Sequence, residues 1–182
     1  SWKDQVVKKL TGGLGQLTKK RNITYLRGKA RFTGKNSLQV TQEEHNTTDL
    51  EAENLILATG SRPASLGDLS FDSPRVMDST DALQLDHIPQ SLLVVGAGYI
   101  GLELATVYAT LGTEVSIVEM MPGILPGADR DIVSVFEKRA GKLFHAVITN
   151  RKADLEETDS GIRAVFTNGE EPEEEQTYER VL

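Results

Sequence analysis

Apolar residues recur at helical spacing from Trp2 to Lys19, at Trp2, Val6, Leu10, Leu14 and Leu17, with lysines between them. That period predicts an amphipathic helix. Gly12, Gly13 and Gly15 fall inside it, and each costs about 1 kcal/mol against alanine in a helix. The glycines therefore predict either close packing against a neighbouring backbone or a break. Ile23 to Leu26 reads as a short strand. Ala30 to Phe32, Ser37 to Thr41 and Asp49 to Ala52 read as a meander of short antiparallel strands, separated by Gly34-Lys35-Asn36 and by a polar loop around His45. Asn54 to Ala58 is continuously apolar, the pattern of a buried strand, and Thr59-Gly60-Ser61-Arg62-Pro63 stops it.

The pattern changes after this point. Residues 61–78 are rich in Pro, Gly, Ser and Asp and read as a crossing between two domains, which divides the chain into residues 1–65 and 66–182. Asp78-Ser79-Thr80-Asp81 is a helix cap signal for a short helix through Leu85. Ser91 to Val95 predicts an apolar strand, Gly96 to Gly101 a tight turn, Leu102 to Leu111 a helix closed by Gly112, and Glu114 to Glu119 a second strand. Asp129 to Leu143 predicts a second amphipathic helix with Ile132, Val133, Phe136 and Ala140 on one side. Strands follow at Ala146 to Thr149, Ala153 to Glu156 and Ile162 to Thr167. The acidic run Gly169 to Gln176 reads as a solvated loop, and Tyr178 to Leu182 as the opening of another strand. Strands alternating with helices, beside an antiparallel meander, place the chain in the α/β class with a Rossmann-like fold and a parallel sheet.

Composition narrows the function classes. The 182 residues hold 27 acidic and 20 basic side chains, a formal charge of −7. No basic stripe marks a nucleic-acid surface, and no apolar run approaches the roughly 18–20 residues that span a bilayer. The chain has no cysteine, which excludes disulfides, zinc–thiolate sites and thiol catalysis within it and fits a cytoplasmic protein.

The chemistry concentrates at Gly96-Ala97-Gly98-Tyr99-Ile100-Gly101. A G-x-G-x-x-G run alone is a weak signal. Here it follows an apolar strand and opens a helix inside a βαβ unit, the context in which it cradles a dinucleotide. Gly96 permits the sharp turn, Gly98 lets a pyrophosphate approach the backbone, and Gly101 lets the helix pack on the strand. The free N–H groups of the helix N-terminus favour the negative charge. Glu119 closes the second strand about 20 residues later, where an acidic side chain takes the adenosine ribose hydroxyls. A carboxylate there repels a 2′-phosphate, and Met120 and Met121 supply no arginine for one, so the pattern favours NAD over NADP. Glu103, read as lying in the first helical turn, fits equally well as an acid on the helix dipole or as a neighbour of the nicotinamide.

Two segments together resemble a known family. Val94 to Glu103 is similar to the NAD motif of the flavoprotein disulfide reductases, and Leu55-Ile56-Leu57-Ala58-Thr59-Gly60-Ser61-Arg62-Pro63 to their second flavin motif. Leu10 to Leu14, Asp78 to Leu83 and Gly127 to Asp131 resemble the bacterial dihydrolipoamide dehydrogenase branch. The resemblance implies a partial FAD-binding domain followed by an NAD-binding domain. It implies that Thr59 and Gly60 approach the flavin, that Gly28 and Ala30 lie near its adenine, that Glu103 lies by the nicotinamide ribose, and that Lys152 or Ala153 touches the NAD adenine through the backbone. An ordinary β-turn accounts for Gly28 and Ala30 almost as well. The implied cofactors are FAD and NAD, and the implied partners are the lipoyl-bearing acyltransferase of 2-oxo acid dehydrogenase complexes and a second subunit of a homodimer.

The redox cysteine pair, the first flavin fingerprint and the catalytic histidine of that family have no counterpart here, so the chain reads as an interior piece without catalytic residues of its own. His45, His87 and His145 read as structural. A sister flavoprotein reductase, a flavin-dependent NADH oxidase and a non-catalytic NAD-binding module remain as alternatives.

Overall fold

The computed structural model describes residues 2–43, 46–63, 72–168 and 174–182. The chain divides into two compact units, Ser1–Gly60 and Ser61–Leu182.

In the first unit, α1 runs Trp2–Lys20 without a break. Its glycines meet no neighbouring backbone, since a Cβ built on Gly12, Gly13 or Gly15 has nothing within 4 Å. The expectation that packing explains these glycines is therefore wrong. The helix buries none of its residues, and Trp2 is 80% exposed. The strands β1 (Lys29–Phe32), β2 (Ser37–Thr41) and β3 (Thr47–Glu51) form the expected antiparallel meander in the order β1-β2-β3. Val40, paired with Ala30 on one side and Thr48 on the other, is the buried apolar residue of this sheet. His45 lies outside the described residues.

Two expected strands are absent from this unit. Residues 23–26 and 54–58 are extended but belong to no strand. A strand exists through its ladder of hydrogen bonds, and apolar character alone supplies none. Ile56 is 94% exposed, the reverse of a buried central strand.

The second unit is three-layered. A parallel sheet of β4 (Ser91–Val95), β5 (Glu114–Val118), β6 (Ala146–Ile148) and β10 (Arg180–Val181) has the order β10-β4-β5-β6. On one face lie α2 (Ser79–Gln84), α3 (Tyr99–Thr110) and α4 (Arg130–Leu143). On the other lies the antiparallel sheet of β7 (Lys152–Thr158), β8 (Gly161–Thr167) and β9 (Glu174–Tyr178). Alternation along the strands feeds the two cores. Leu92, Val94, Val115 and Ile117 join the helix-side cluster, and Leu93 and Val118 join Ile162, Phe166 and Tyr178 on the other side. Covered on both faces, β4 and β5 need the near-continuous apolar sequence they have.

Boundaries moved in physically interpretable ways. The helix α3 begins at Tyr99, three residues earlier than the apolar pattern suggests, because Gly98 serves as its N-cap. Glu174 to Gln176, expected in the acidic loop, pair with β8 as part of β9, where Glu174 and Glu175 are both exposed. Residues 169–173 of that loop lie outside the described residues. Ile132, placed on the buried side of α4, is 69% exposed, whereas Val133 and Ala140 are buried as expected.

Two side chains, Tyr108 and Glu179, tie elements of this unit that are distant in sequence. Tyr108 on α3 is buried, and its hydroxyl donates to the Ala82 carbonyl of α2 at 2.9 Å. Burial raises the pKa of that phenol, so it stays a donor. Glu179, between β9 and β10, accepts from the Gln90 N–H at 2.6 Å and lies 2.6 Å from His87 Nε2.

Tyr108→Phe is expected to lower unfolding free energy by about 1–2 kcal/mol, the cost of leaving a buried acceptor without its partner, read by urea denaturation. The Gln90 N–H, above all, holds the Glu179 carboxyl below its usual range; burial opposes it, and His87 and Arg180 add to the lowering. A carboxyl more acidic in the folded than in the unfolded chain stabilises above the unfolded value and loses that contribution as pH falls through the folded one. Glu179→Gln is therefore expected to lower the urea midpoint near neutral pH and to converge with the parent on acidification below the carboxylate range.

Candidate functional site

All four parallel strands deliver their carboxyl ends to one edge, where Val95 pairs with Val118, Val118 with Ile148, and Leu93 with Val181. The chain runs from β4 through β5 to β6 in one direction, while β10 adds on the other side of β4. Open α/β sheets bind ligands at such a reversal, outside the carboxyl ends.

The glycines of the loop there have distinct jobs. Gly96 has φ +100°, a left-handed value that side chains resist, and its N–H donates to the Val118 carbonyl. A Cβ on Gly101 would stand 2.3 Å from the Gly96 carbonyl oxygen and 3.2 Å from Val94 Cγ1, so the helix reaches the strand only without one. A Cβ on Gly98 would meet nothing within 4 Å, which leaves the backbone there open to a ligand. As the N-cap, Gly98 makes no side-chain cap bond to α3. The first-turn N–H groups thus keep their polarity for an external anion.

Glu119 follows β5 directly and is buried. Its Oε2 accepts from the Ala97 N–H at 2.8 Å, and its Oε1 from the Met121 N–H at 2.8 Å. The carboxylate thereby joins the glycine loop to the exit of β5. Its own N–H donates to Ile148 at the end of β6.

Two clefts flank this carboxylate loop. One of about 340 Å³ is lined by Gly96, Gly98, Tyr99 and Gly101, with Met77 and Leu182 from distant parts of the sequence. A second, of about 370 Å³, is lined by Met120, Asn150, Arg151, Lys152, Thr167 and Asn168. Its walls come from the ends of β5, β6 and β8.

The structure thus brings Gly96, Ala97, Gly98, Tyr99, Ile100, Gly101 and Glu119 to one edge, with Lys152 in the neighbouring cleft. Glu103 is exposed and lies in the second turn of α3, because that helix starts at Tyr99. The helix-dipole explanation offered for it loses its footing, since the dipole acts within the first turn. Gly28 has a reason of its own. A Cβ there would meet the Thr41 carbonyl oxygen at 2.4 Å, so the meander itself requires glycine. Ala30 is an exposed residue of β1. Thr59 and Gly60 are exposed in the unpaired segment, and Gly60 has φ +74°.

Sequence reasoning missed Met77 and Leu182, which no local motif marks, and Arg151, whose N–H donates to the Glu119 carbonyl. No spacing rule marks Arg151: Asn150, at φ +54°, a conformation that asparagine tolerates, turns the chain from β6 past Glu119.

Residues 3–179 match the family model described as pyridine nucleotide-disulphide oxidoreductase. The chain belongs to this family. The dihydrolipoyl dehydrogenase of Vibrio parahaemolyticus is 41% identical over 181 residues, and that of Vibrio cholerae is 39% identical over 181 residues. In each case all of this chain is matched to 38% of the relative, so the chain spans less than two thirds of their length. Among solved structures, the HOCl-induced flavoprotein disulfide reductase RclA of Escherichia coli superposes with a TM-score of 0.79 at 26% identity, covering 99% of this chain and 40% of that one. Membership in the family accords with the α/β class and Rossmann-like fold expected from the sequence. Among the described residues, no helix is long and apolar enough to cross a membrane and no cluster could hold a metal ion.

Gly101→Ala is expected to destabilise the second unit by about 1–3 kcal/mol through overpacking against the Gly96 carbonyl. Gly98→Ala, which meets open space, is expected to leave the urea midpoint nearly unchanged. Equal midpoints for the two variants would contradict this division of labour.

Proposed function

We propose that this chain is the coenzyme-docking part of a dihydrolipoamide dehydrogenase, with residues 66–182 forming the NAD-binding domain and residues 1–65 part of the FAD-binding domain. The observation that carries the reading is the buried Glu119 carboxylate tied to the Ala97 N–H at 2.8 Å, beside an open Gly98 at an uncapped helix N-terminus. The match to dihydrolipoyl dehydrogenases along the whole chain supports it.

The residues present fit NAD. The pyrophosphate sits against Gly98 and the first-turn N–H groups of α3, where backbone dipoles meet its charge. Glu119 accepts from the ribose hydroxyls while keeping its two backbone bonds, because each carboxylate oxygen has a second lone pair. The same charge disfavours a 2′-phosphate. Lys152 would stand at the adenine end, and the cleft lined by Tyr99 and Met77 would take the nicotinamide end, with Glu103 toward its ribose. Fit to FAD rests on fewer features: Gly60, open and left-handed, with Thr59, and the β1 segment carrying Gly28 and Ala30.

Bound flavin would supply electron relay and bound NAD a hydride acceptor, so the part left to the protein is position and electrostatics. In the intact enzyme this serves the reoxidation of dihydrolipoamide carried by the lipoyl-bearing acyltransferase of a 2-oxo acid dehydrogenase complex, in a cytoplasmic homodimer. The catalytic residues belong to other parts of such an enzyme, and the chain acts as its hydride-acceptor dock.

Titration of the 182-residue chain with NADH and NADPH, followed by nicotinamide fluorescence, tests the reading. NADH is expected to bind at least about tenfold tighter than NADPH, a difference of about 1.4 kcal/mol, and Glu119→Ala to erode that preference. Absence of NADH binding in a sample with the circular dichroism of an α/β protein would overturn it.

A further inference from the structure

Two cations line the cleft next to the ribose carboxylate. Arg151 and Lys152 follow Asn150, whose left-handed turn brings the Arg151 N–H onto the Glu119 carbonyl. Both residues line the cleft together with Met120 and Asn168. Among the described residues, neither enters a salt bridge, whereas Arg130 and Arg163 are each paired with a glutamate. Nη1 of Arg151 is buried without any hydrogen-bond partner.

A buried charged donor without an acceptor is costly, and in a chain of net charge −7 carboxylates are plentiful. Among the described residues, this guanidinium nevertheless has none. Beside the loop where an adenosine ribose would meet Glu119, two bases thus stand without a carboxylate partner among the described residues. The acid excludes a 2′-phosphate, whereas the bases suit one: an arginine fork and a lysine ammonium are the usual protein partners of phosphate oxygens.

We propose that Arg151 and Lys152 form a latent 2′-phosphate acceptor, so that discrimination against NADP rests on Glu119 alone. This inference rests on the reading of the site as an NAD dock. It assigns Arg151 a specificity role that the sequence hides, because the arginine expected for such a phosphate directly follows the acidic residue, and here Met120 and Met121 stand there. Removing the Glu119 charge should therefore do more than weaken the preference. It should expose a phosphate site that is already built.

The test measures the ratio of NADPH to NADH affinity in the 182-residue chain. In Glu119→Ala the ratio is expected to rise by about tenfold or more, equivalent to about 1.4 kcal/mol, and NADPH binding should become the more salt-sensitive of the two. In Glu119→Ala/Arg151→Met it is expected to fall back by about tenfold, with a smaller fall in Glu119→Ala/Lys152→Met. The lysine side chain is exposed, so the last variant decides the question if the arginine variant does not fold. A raised ratio indifferent to both second substitutions overturns the latent acceptor and leaves the NAD reading standing. Absence of NADH binding to the folded parent chain overturns that reading, and this inference with it.

Discussion

The Glu119 carboxylate is the tie on which the site depends. It is buried at the end of β5 and accepts from the N–H of Ala97 in the glycine loop and from that of Met121 in its own loop. A buried charge is tolerated only when its lone pairs find donors, and here the donors are backbone groups of the two segments that must stay in register. The loop leaving β5 is tied back a second time, because the Leu125 N–H donates to the Ala97 carbonyl. Recognition and architecture therefore share a side chain. The group that would read the ribose also fixes the loop that would hold the pyrophosphate.

That tie works because the sheet beneath it is rigid. Val94 and Ile117 are fully buried on the helix side, and Leu93 is fully buried on the side of the antiparallel sheet. Packed on both faces, the strands leave their carboxyl ends little freedom to shift, and a close-packed interior transmits strain rather than absorbing it. The Gly101 contact belongs to the same logic. With the Gly96 carbonyl where a Cβ would be, α3 is pinned close to β4, and its N-terminus is aimed by packing instead of by a capping side chain.

How much of this the sequence disclosed follows from the kind of information each feature needs. The β4–α3–β5 unit was legible almost residue by residue, because its strands are continuously apolar and its turn chemistry is local. The meander of β1 to β3, whose strands are mostly polar, was legible through its turn chemistry, Gly34-Lys35-Asn36 above all. The helix start was misplaced because Tyr99 and Ile100 carry no helical stripe. Both are exposed at the cleft, and only the cap geometry at Gly98 reveals that the helix has begun. Arg151 was hidden for a different reason. It reaches Glu119 across the β5–α4–β6 crossover and a left-handed asparagine, and no spacing rule links positions brought together by sheet order.

The segments at 23–26 and 54–58 expose what pattern reading takes for granted. Leu55, Ile56 and Leu57 have the composition of a central strand, yet composition states only that burial would be favourable. Burial worth about 25 cal/mol per Å² of apolar surface is realised only against a second surface, and strand geometry only against a second ladder. In the first unit α1 shows the same logic, with Leu10 and Leu14 at helical spacing and both exposed. Helix hydrogen bonds close within the segment, so α1 forms without a neighbour. Strand hydrogen bonds do not, so the 54–58 segment stays unpaired while equally apolar β4 is paired on both edges. Apolar residues at helical period therefore mark a helix by themselves, whereas an apolar run marks a strand only together with its neighbours, and this is why the second unit was read more accurately than the first.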